Sequence, residues 1–215
     1  MLSSLIISKV QDSFVKKCIV LVGQAYDKLL ASGSVNHDMN ENTVSENLRV
    51  LMDQDSYSSR HKINIAREQP INNRLLAATE TANSLPRIDF KFQTSWSMMQ
   101  KTFEFFMEAK NLYANDFTKT GKSSVTSAKV NHKRYVETGM IHLLNGYYPP
   151  NTYLLGYVLE GAVMDAVTGV NSQVTSMLSN ADILKSIQPS LDPLLQTYVS
   201  KHSSNKMITH LMLQF

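Results

Sequence analysis

The stretch FEFFMEAKNLY, residues 103 to 113, is predicted to form a buried strand of a sheet, because most of its residues are apolar. Successive side chains of a strand point to opposite faces, so Glu108 and Lys110 share one face with Phe106. The opposite face is apolar and consists of Phe103, Phe105, Met107 and Ala109. A predicted buried strand therefore carries an acid and a base that point the same way.

A partner acid for this pair occurs upstream, in the stretch RIDFKF at residues 87 to 92. Its alternation places Asp89 on the face opposite to its aromatic residues. If the two strands pair with their apolar faces on the same side, Asp89 converges with Glu108 and Lys110. Two neighbouring carboxylates repel each other unless a cation joins them, and hard oxygen ligands suit Mg²⁺ or Mn²⁺. The sequence thus predicts Asp89 and Glu108 as metal ligands and all three residues as catalytic.

The periodicity of the remaining chain predicts an α/β fold with a central mixed β-sheet flanked by helices. We expect helices at residues 5–30, 43–54, 132–150 and 162–178, and strands at 62–71, 87–92, 103–113, 151–161 and 206–215. Residues 72–84 are predicted to be a short helix or an irregular segment. Residues 1–36 are expected to form an amphipathic N-terminal helical extension, and residues 37–215 a single compact domain.

Composition bounds the function without deciding it. A formal net charge of +3 and a pI near 8.9 make nucleic acid an admissible partner. The single cysteine, Cys18, allows neither a disulfide framework nor a cysteine-rich zinc site. The sequence shows no secretory signal and no long apolar run, so we expect a cytoplasmic protein without a membrane segment.

A basic loop is predicted at residues 115–133, which are rich in Ser, Thr and Lys. Mobile cations near such a metal site are suited to phosphate contacts, whereas the alternative is an ordinary solvated loop. The candidate nucleic-acid-binding cations are Lys119, Lys122, Lys129, Lys133 and Arg134.

The motif of Asp89 followed by Glu108-Ala109-Lys110 resembles that of the PD-(D/E)xK nucleases of the restriction-endonuclease-like superfamily. The predicted order of a helix, three strands, a helix and a further strand is also similar to this superfamily. The one departure is Ile88, which stands where the motif has Pro. The resemblance implies a restriction-endonuclease-like fold over residues 37–215 and a Mg²⁺-dependent endonuclease that hydrolyses DNA.

Further residues follow from the resemblance alone. The first core helix of this family often carries another metal-linked acid, and Glu46 is the matching position. The helix after the second motif often supplies a polar or aromatic residue, for which Tyr135 is the candidate. By analogy, such a chain belongs to prokaryotic restriction or anti-phage defence and acts as a homodimer or as a subunit of a defence complex.

Less specific interpretations of the same residues remain open. The three charged residues could form a solvated sheet face with a cross-strand ion pair. Glu46 could serve only to cap its helix together with Thr43. The chain could also be a catalytically silent nuclease-fold subunit that binds nucleic acid or a partner protein, or a structural α/β interaction module.

Overall fold

The structure is a computed structural model that describes residues 4–70, 87–96, 101–178, 182–202 and 206–215. Within these ranges the chain forms an α/β fold in which a mixed sheet of seven strands lies between helices. This confirms the predicted fold class at the level of a central mixed sheet, flanking helices and an N-terminal helix. The segment 72–84 lies outside the described residues.

The helical elements occur in three groups along the chain. The helices are α1 (Ser4–Ser32), α2 (Glu41–Gln54), α3 (Ser56–His61), α4 (Ala128–Arg134), α5 (His142–Leu144) and α6 (Val163–Met177). A π-helical segment, Tyr135–Ile141, joins α4 to α5 without a break, and these three elements together are called the α4 rod. Helix α3 falls in a stretch for which the sequence analysis gave no helix, and Asp55 begins it by accepting a hydrogen bond from the Tyr57 amide at 2.8 Å.

One or more strands follow each of these groups of helices along the chain. The sheet strands are β1 (Asn64–Pro70), β2 (Arg87–Trp96), β3 (Lys101–Tyr113), β6 (Thr152–Glu160), β7 (Lys185–Ser186), β8 (Gln196–Lys201) and β9 (Met207–Gln214). Two further strands, β4 (Phe117–Thr118) and β5 (Val125–Thr126), form a small antiparallel hairpin inside the predicted basic loop. Strands β7 and β8 are additions to the predicted pattern.

The seven strands lie in the order β1-β2-β3-β6-β9-β8-β7. Strands β1, β2 and β3 form an antiparallel meander, and β6 and β9 continue it in parallel with β3. Two parallel neighbouring strands require a crossover connection, and the α4 rod provides it between β3 and β6. Strands β8 and β7 close the sheet in antiparallel fashion.

Each face of the sheet carries its own hydrophobic core. Phe105 and Met107 of β3 cluster with side chains of α1 and α2, whereas Leu112 clusters with the α4 rod and α6. This division follows from the alternation of side chains along the strand. Helix α1 buries Cys18 and Leu21 in the first core, so it is a layer of the fold. None of the described helices combines the length and the apolar character needed to cross a bilayer.

A steric constraint explains why Gly169 occurs within α6, and the helical pattern of the sequence does not reveal it. A Cβ atom at Gly169 would overlap the buried imidazole ring of His132, which is held 2.7 Å from the Tyr113 carbonyl oxygen. Gly139, in the π-helical segment, would place its Cβ at an ordinary 3.5 Å from Leu154. Gly139 and Gly169 are therefore a matched pair of helical glycines.

We expect Gly169→Ala to lower the free energy of unfolding by about 1–3 kcal/mol through overpacking. Gly139→Ala should leave it unchanged or raise it by up to about 1 kcal/mol, because alanine restricts the unfolded chain. Urea denaturation of both variants measures the difference. Equal effects of the two substitutions would contradict the close α4–α6 packing.

Candidate active site

Asp89 lies at the point where β2 leaves β3. The pairing of these strands runs from Phe90 opposite Met107 to Trp96 opposite Lys101. Continuing the register by one residue places Asp89 opposite Glu108, and there the Asp89 carboxylate accepts a hydrogen bond from the Ala109 amide at 2.7 Å. A side chain therefore replaces the backbone partner at the end of the ladder, which fixes a carboxylate beside Glu108.

Glu108 and Lys110 point to the same face of β3, as their spacing predicts. The Lys110 ammonium lies 2.6 Å from Glu108 Oε1 and donates to the Ala109 carbonyl oxygen at 2.7 Å. Asp89 is 8% exposed, and Glu108 and Lys110 are each 5% exposed. The three predicted catalytic residues thus form one buried cluster, and the solvated sheet face considered above is excluded.

Tyr148, in the connection between α5 and β6, completes the surroundings of Glu108. Its hydroxyl donates to Glu108 Oε1 at 2.9 Å, the same oxygen that Lys110 contacts. The second oxygen, Oε2, is buried and has no hydrogen-bond partner in the part of the chain that the structure describes. Buried acceptors are normally satisfied, so Oε2 is an oxygen suited to binding a cation. Sequence reasoning missed Tyr148, whose role depends on a long-range contact.

A further acid, Glu41, reaches this cluster from the first turn of α2. One of its oxygens lies 3.4 Å from Lys110 Nζ, and the other accepts a hydrogen bond from the backbone N–H of Asn111 at 3.2 Å. Helix α2 begins at Glu41 because Asn40 caps it, accepting a hydrogen bond from the Thr43 amide at 2.8 Å. The signal that could have found Glu41 is Asn40, a residue type strongly preferred at this capping position.

Glu46, the predicted third metal ligand, does not belong to the cluster. It accepts hydrogen bonds from Arg49 at 2.7 Å and Arg67 at 3.1 Å. Hydrogen bonding to Arg49, supported by Arg67, lowers the pKa of Glu46 to about 2. The structure therefore does not bring Glu46, which was assigned from the resemblance alone, to Asp89 and Glu108; it lies on the face of α2 that carries Arg49. Within the described ranges, no three acidic, histidine or cysteine side chains are grouped to hold a metal.

Electrostatics make the cluster costly without a further cation. Burial, and then the neighbouring Glu108, raise the pKa of Asp89 to about 7. Burial also raises the pKa of Glu108, although Lys110 opposes this shift. Burial acts to lower the pKa of Lys110, but the surrounding carboxylates Glu108, Glu41 and Asp89 outweigh it and raise this pKa. One ammonium is shared among three acids.

The donor set fits a small divalent cation bound by two carboxylates. Mg²⁺ is usually held by one or two carboxylates and keeps several waters, so a third acidic ligand is not required. Asp89 and Glu108 supply hard oxygens, including the unpartnered Glu108 Oε2. The residues present are therefore compatible with Mg²⁺ or Mn²⁺.

Two of the predicted phosphate-binding cations lie beside this cluster. Lys119 and Arg134 line a cavity of about 310 Å³ together with Glu41 and Asn111. The Arg134 guanidinium is 3.9 Å from Glu41. The other three cations lie on the surface: Lys122 and Lys129 are exposed, and Lys133 pairs with Glu137 at 3.3 Å.

Tyr135 does not face a substrate groove, contrary to its predicted role. It is fully buried, and its hydroxyl lies 2.9 Å from His210 Nδ1. The prediction assumed regular α-helical spacing, whereas Tyr135 begins a π-helical segment whose wider turns change which residues share a face. His142 is the residue of this rod that Lys110 affects: burial, and then the Lys110 charge, lower its pKa.

Comparisons of the chain with protein-family models, with curated proteins and with solved structures find no match. The class of protein is therefore argued from the chemistry of the cluster itself.

The substitution Asp89→Asn tests the electrostatic cost. The pKa of Asp89 is about 7 in the folded protein, whereas the ordinary value of an aspartic acid is 3.8, so between these values the folded state holds a proton that the unfolded state lacks. The stability of the wild type therefore falls as pH rises through this window. Asparagine keeps an oxygen for the Ala109 amide but carries no charge.

In EDTA, we expect the stability of Asp89→Asn relative to wild type to rise from about pH 5 to about pH 7, by at most about 1.4 kcal/mol per unit. Urea denaturation across this range provides the measurement. Glu46→Gln is the control, because a pKa of about 2 keeps Glu46 ionised throughout. A pH-independent difference for Asp89→Asn would refute the raised pKa that burial and the neighbouring Glu108 give to Asp89.

Proposed function

We propose that this protein is a metal-dependent nuclease of PD-(D/E)xK type that hydrolyses phosphodiester bonds of DNA. The observation that carries the proposal is the buried contact of 2.6 Å between Lys110 and Glu108, with the Asp89 carboxylate fixed beside it on the Ala109 amide. Two carboxylates held together in this way can bind a divalent ion, and the lysine places a second positive charge beside that ion.

The order of elements supports the same proposal. Helix α2 precedes the antiparallel meander β1-β2-β3, and the α4 rod then leads to β6, which is parallel to β3. This is the arrangement that the resemblance to restriction-endonuclease-like proteins implies. A restriction-endonuclease-like domain, and a place in prokaryotic restriction or anti-phage defence, are parts of the proposal.

Asp89 and Glu108 would hold the ion. A bound Mg²⁺ or Mn²⁺ supplies charge neutralisation at the scissile phosphate and lowers the pKa of a bound water. Tyr148 and Lys110 both engage Glu108 Oε1, at 2.9 Å and 2.6 Å, which leaves Oε2 free to face the cation. The chain itself therefore orients the carboxylate.

Lys110 would serve the nucleophile or the phosphate. Its ammonium has three donors, and the Glu108 and Ala109 oxygens take the two shortest contacts. The contact with Glu41 is longer, at 3.4 Å. A water or a phosphate oxygen can replace Glu41 at this third donor more easily than it can replace the other two. The lysine would then orient the water or stabilise charge that develops on the phosphate.

The cations near the cluster fit a polyanionic substrate. Lys119 and Arg134 lie on the cavity beside Glu41, and the exposed Lys122, Lys129 and Lys133 extend the positive charge along the α4 side. Contacts of this kind bind the phosphate backbone without reading sequence.

One observation favours the silent-subunit alternative, namely that Asp89, Glu108 and Lys110 are all at most 8% exposed. A cluster this closed must open toward the substrate before a phosphate can reach it. A subunit that binds nucleic acid without cutting it would keep the ion pair as a structural element.

Lys110→Met should abolish metal-dependent DNA cleavage, because the substitution keeps the length of the side chain but removes the ammonium. We expect cleavage of plasmid and single-stranded DNA by the wild type in Mg²⁺ or Mn²⁺ and none in EDTA, followed on gels. Loss of one electrostatic group of this kind should reduce the rate by about 10²-fold or more.

Lys91→Met is the matched control, since Lys91 pairs with the Glu104 carboxylate at 2.6 Å on the neighbouring strands. It should retain activity. DNA binding without cleavage by the wild type would establish the silent-subunit alternative instead, and equal activity of the two variants would remove Lys110 from the mechanism.

Divalent ions should stabilise the protein through Asp89 and Glu108. Binding to the folded state raises stability with ion concentration, by about 2.7 kcal/mol at a hundredfold excess over Kd. Thermal unfolding with and without Mg²⁺ or Mn²⁺ should show a rise in Tm for the wild type and for Glu46→Gln. The rise should be absent in Glu108→Gln and Asp89→Asn. An ion effect that depends on Glu46 would restore the original metal assignment.

A further inference from the structure

The cavity beside Glu41 has features that the proposed cleavage reaction does not explain. Its volume is about 310 Å³, and its lining includes Asn111, Tyr113, Lys119 and Arg134. Asn111 and Tyr113 are 8% and 2% exposed, whereas the Arg134 side chain is 58% exposed. The cavity therefore has a buried polar interior and a cationic entrance.

Asn111 carries an acceptor that none of the described residues satisfies. Its Nδ2 atom donates to the Met39 carbonyl oxygen at 3.1 Å and to the Tyr113 hydroxyl at 3.3 Å. The Met39 carbonyl accepts only, so this contact fixes the orientation of the amide. The opposite atom, Oδ1, is buried and has no hydrogen-bond partner within the described ranges. A buried acceptor without a partner is unfavourable, and a ligand with an N–H or O–H donor would satisfy it.

The entrance of the cavity favours an anion. Among the described residues, the Lys119 ammonium donates to the Asp38 carbonyl oxygen alone, at 3.0 Å, and so keeps donors for a ligand. The Arg134 guanidinium is 3.9 Å from Glu41, the acid of the cavity. Both Glu41 oxygens already accept hydrogen bonds, one from Lys110 at 3.4 Å and the other from the backbone N–H of Asn111 at 3.2 Å. An anion that enters from solvent therefore meets the two cations first.

An anion at the entrance and a hydrogen-bond donor in the interior together describe a nucleotide. We propose that this cavity binds one unpaired nucleotide of the DNA strand, with its phosphate on Lys119 and Arg134 and an N–H group of its base on Asn111 Oδ1. This inference rests on the proposed function and adds a substrate class to it. A base must leave its pair to enter such a pocket, so single-stranded or unpaired DNA is the preferred substrate.

Inorganic phosphate fits the observations less well. It would use the two cations but leave Asn111 Oδ1 unsatisfied. A phosphate of intact duplex DNA has the same shortcoming, because the bases stay stacked inside the helix and cannot enter a cavity in which Asn111 is only 8% exposed. The unpartnered Asn111 oxygen is thus the feature that separates a nucleotide from its phosphate alone.

The test is a calorimetric titration of the whole protein in EDTA, so that no cleavage occurs. The ligands are dCMP, dAMP, deoxyribose 5-phosphate and inorganic phosphate. We expect the nucleotides to bind about tenfold or more tightly than the two ligands without a base, as one satisfied hydrogen bond allows. Equal affinities of all four ligands, or no binding of the nucleotides, would overturn the inference without any variant.

Variants then assign the contacts. Asn111→Leu should reduce nucleotide affinity to that of deoxyribose 5-phosphate, while Lys119→Gln and Arg134→Gln should weaken every ligand. Lys185→Gln is the control, because Lys185 is exposed and lies on the edge strand β7, far along the sheet order from β3. If Asn111→Leu fails to fold, the comparison of dCMP with deoxyribose 5-phosphate in the wild type still decides the question.

Cleavage assays separate this inference from the proposed function. Metal-dependent cleavage that is equally fast on single-stranded and duplex DNA, with no effect of Arg134→Gln, would preserve the nuclease and refute the pocket. Nucleotide binding that depends on Asn111 without any cleavage would preserve the pocket and refute the nuclease.

Discussion

The contact between Lys110 and Glu108 is the constraint on which the site depends. Both groups are almost completely buried, and removing charges from water is expensive unless each charge is paired and hydrogen-bonded. The pair survives because the Ala109 carbonyl and the Tyr148 hydroxyl add hydrogen bonds to it. Breaking such a pair typically destabilises a protein by about 3–5 kcal/mol, since the remaining charge is uncompensated. The sheet must therefore hold both side chains in register.

The fold meets this constraint by using the two faces of β3 differently. Phe105 and Met107 anchor the strand in the core beneath α1 and α2, which fixes its rotation. The opposite face is then forced to carry Glu108 and Lys110, in keeping with the alternation of a strand. The α4 rod and Tyr148 cover that face, and the end of the β2–β3 pairing leaves room for the Asp89 carboxylate. A hydrophobic pattern thus positions a charged cluster.

The parts of the fold and site that depend on local alternation could be predicted from the sequence. Asp89, Glu108 and Lys110 converge because each lies on a strand with a clear pattern. Glu41 was missed because its place in the first turn of α2 depends on the cap at Asn40, and Glu46 was assigned from the resemblance alone, which does not reveal its pairing with Arg49. Tyr135 was misplaced because a π-helical segment has no recognised sequence signal in this chain. Strand β8 was missed because a short edge-side strand is defined by its pairing with β9.

The pKa of Asp89, about 7, links the proposed metal site to pH. A carboxylate must lose its proton to bind a cation, so protons and a divalent ion would compete for the same oxygens near neutral pH. The unpartnered Glu108 Oε2 and the repulsion between the two acids both store free energy that a bound ion would release. The same repulsion that makes this cluster unfavourable in the metal-free protein would therefore strengthen ion binding, and this strengthening would be greatest above the pKa of Asp89.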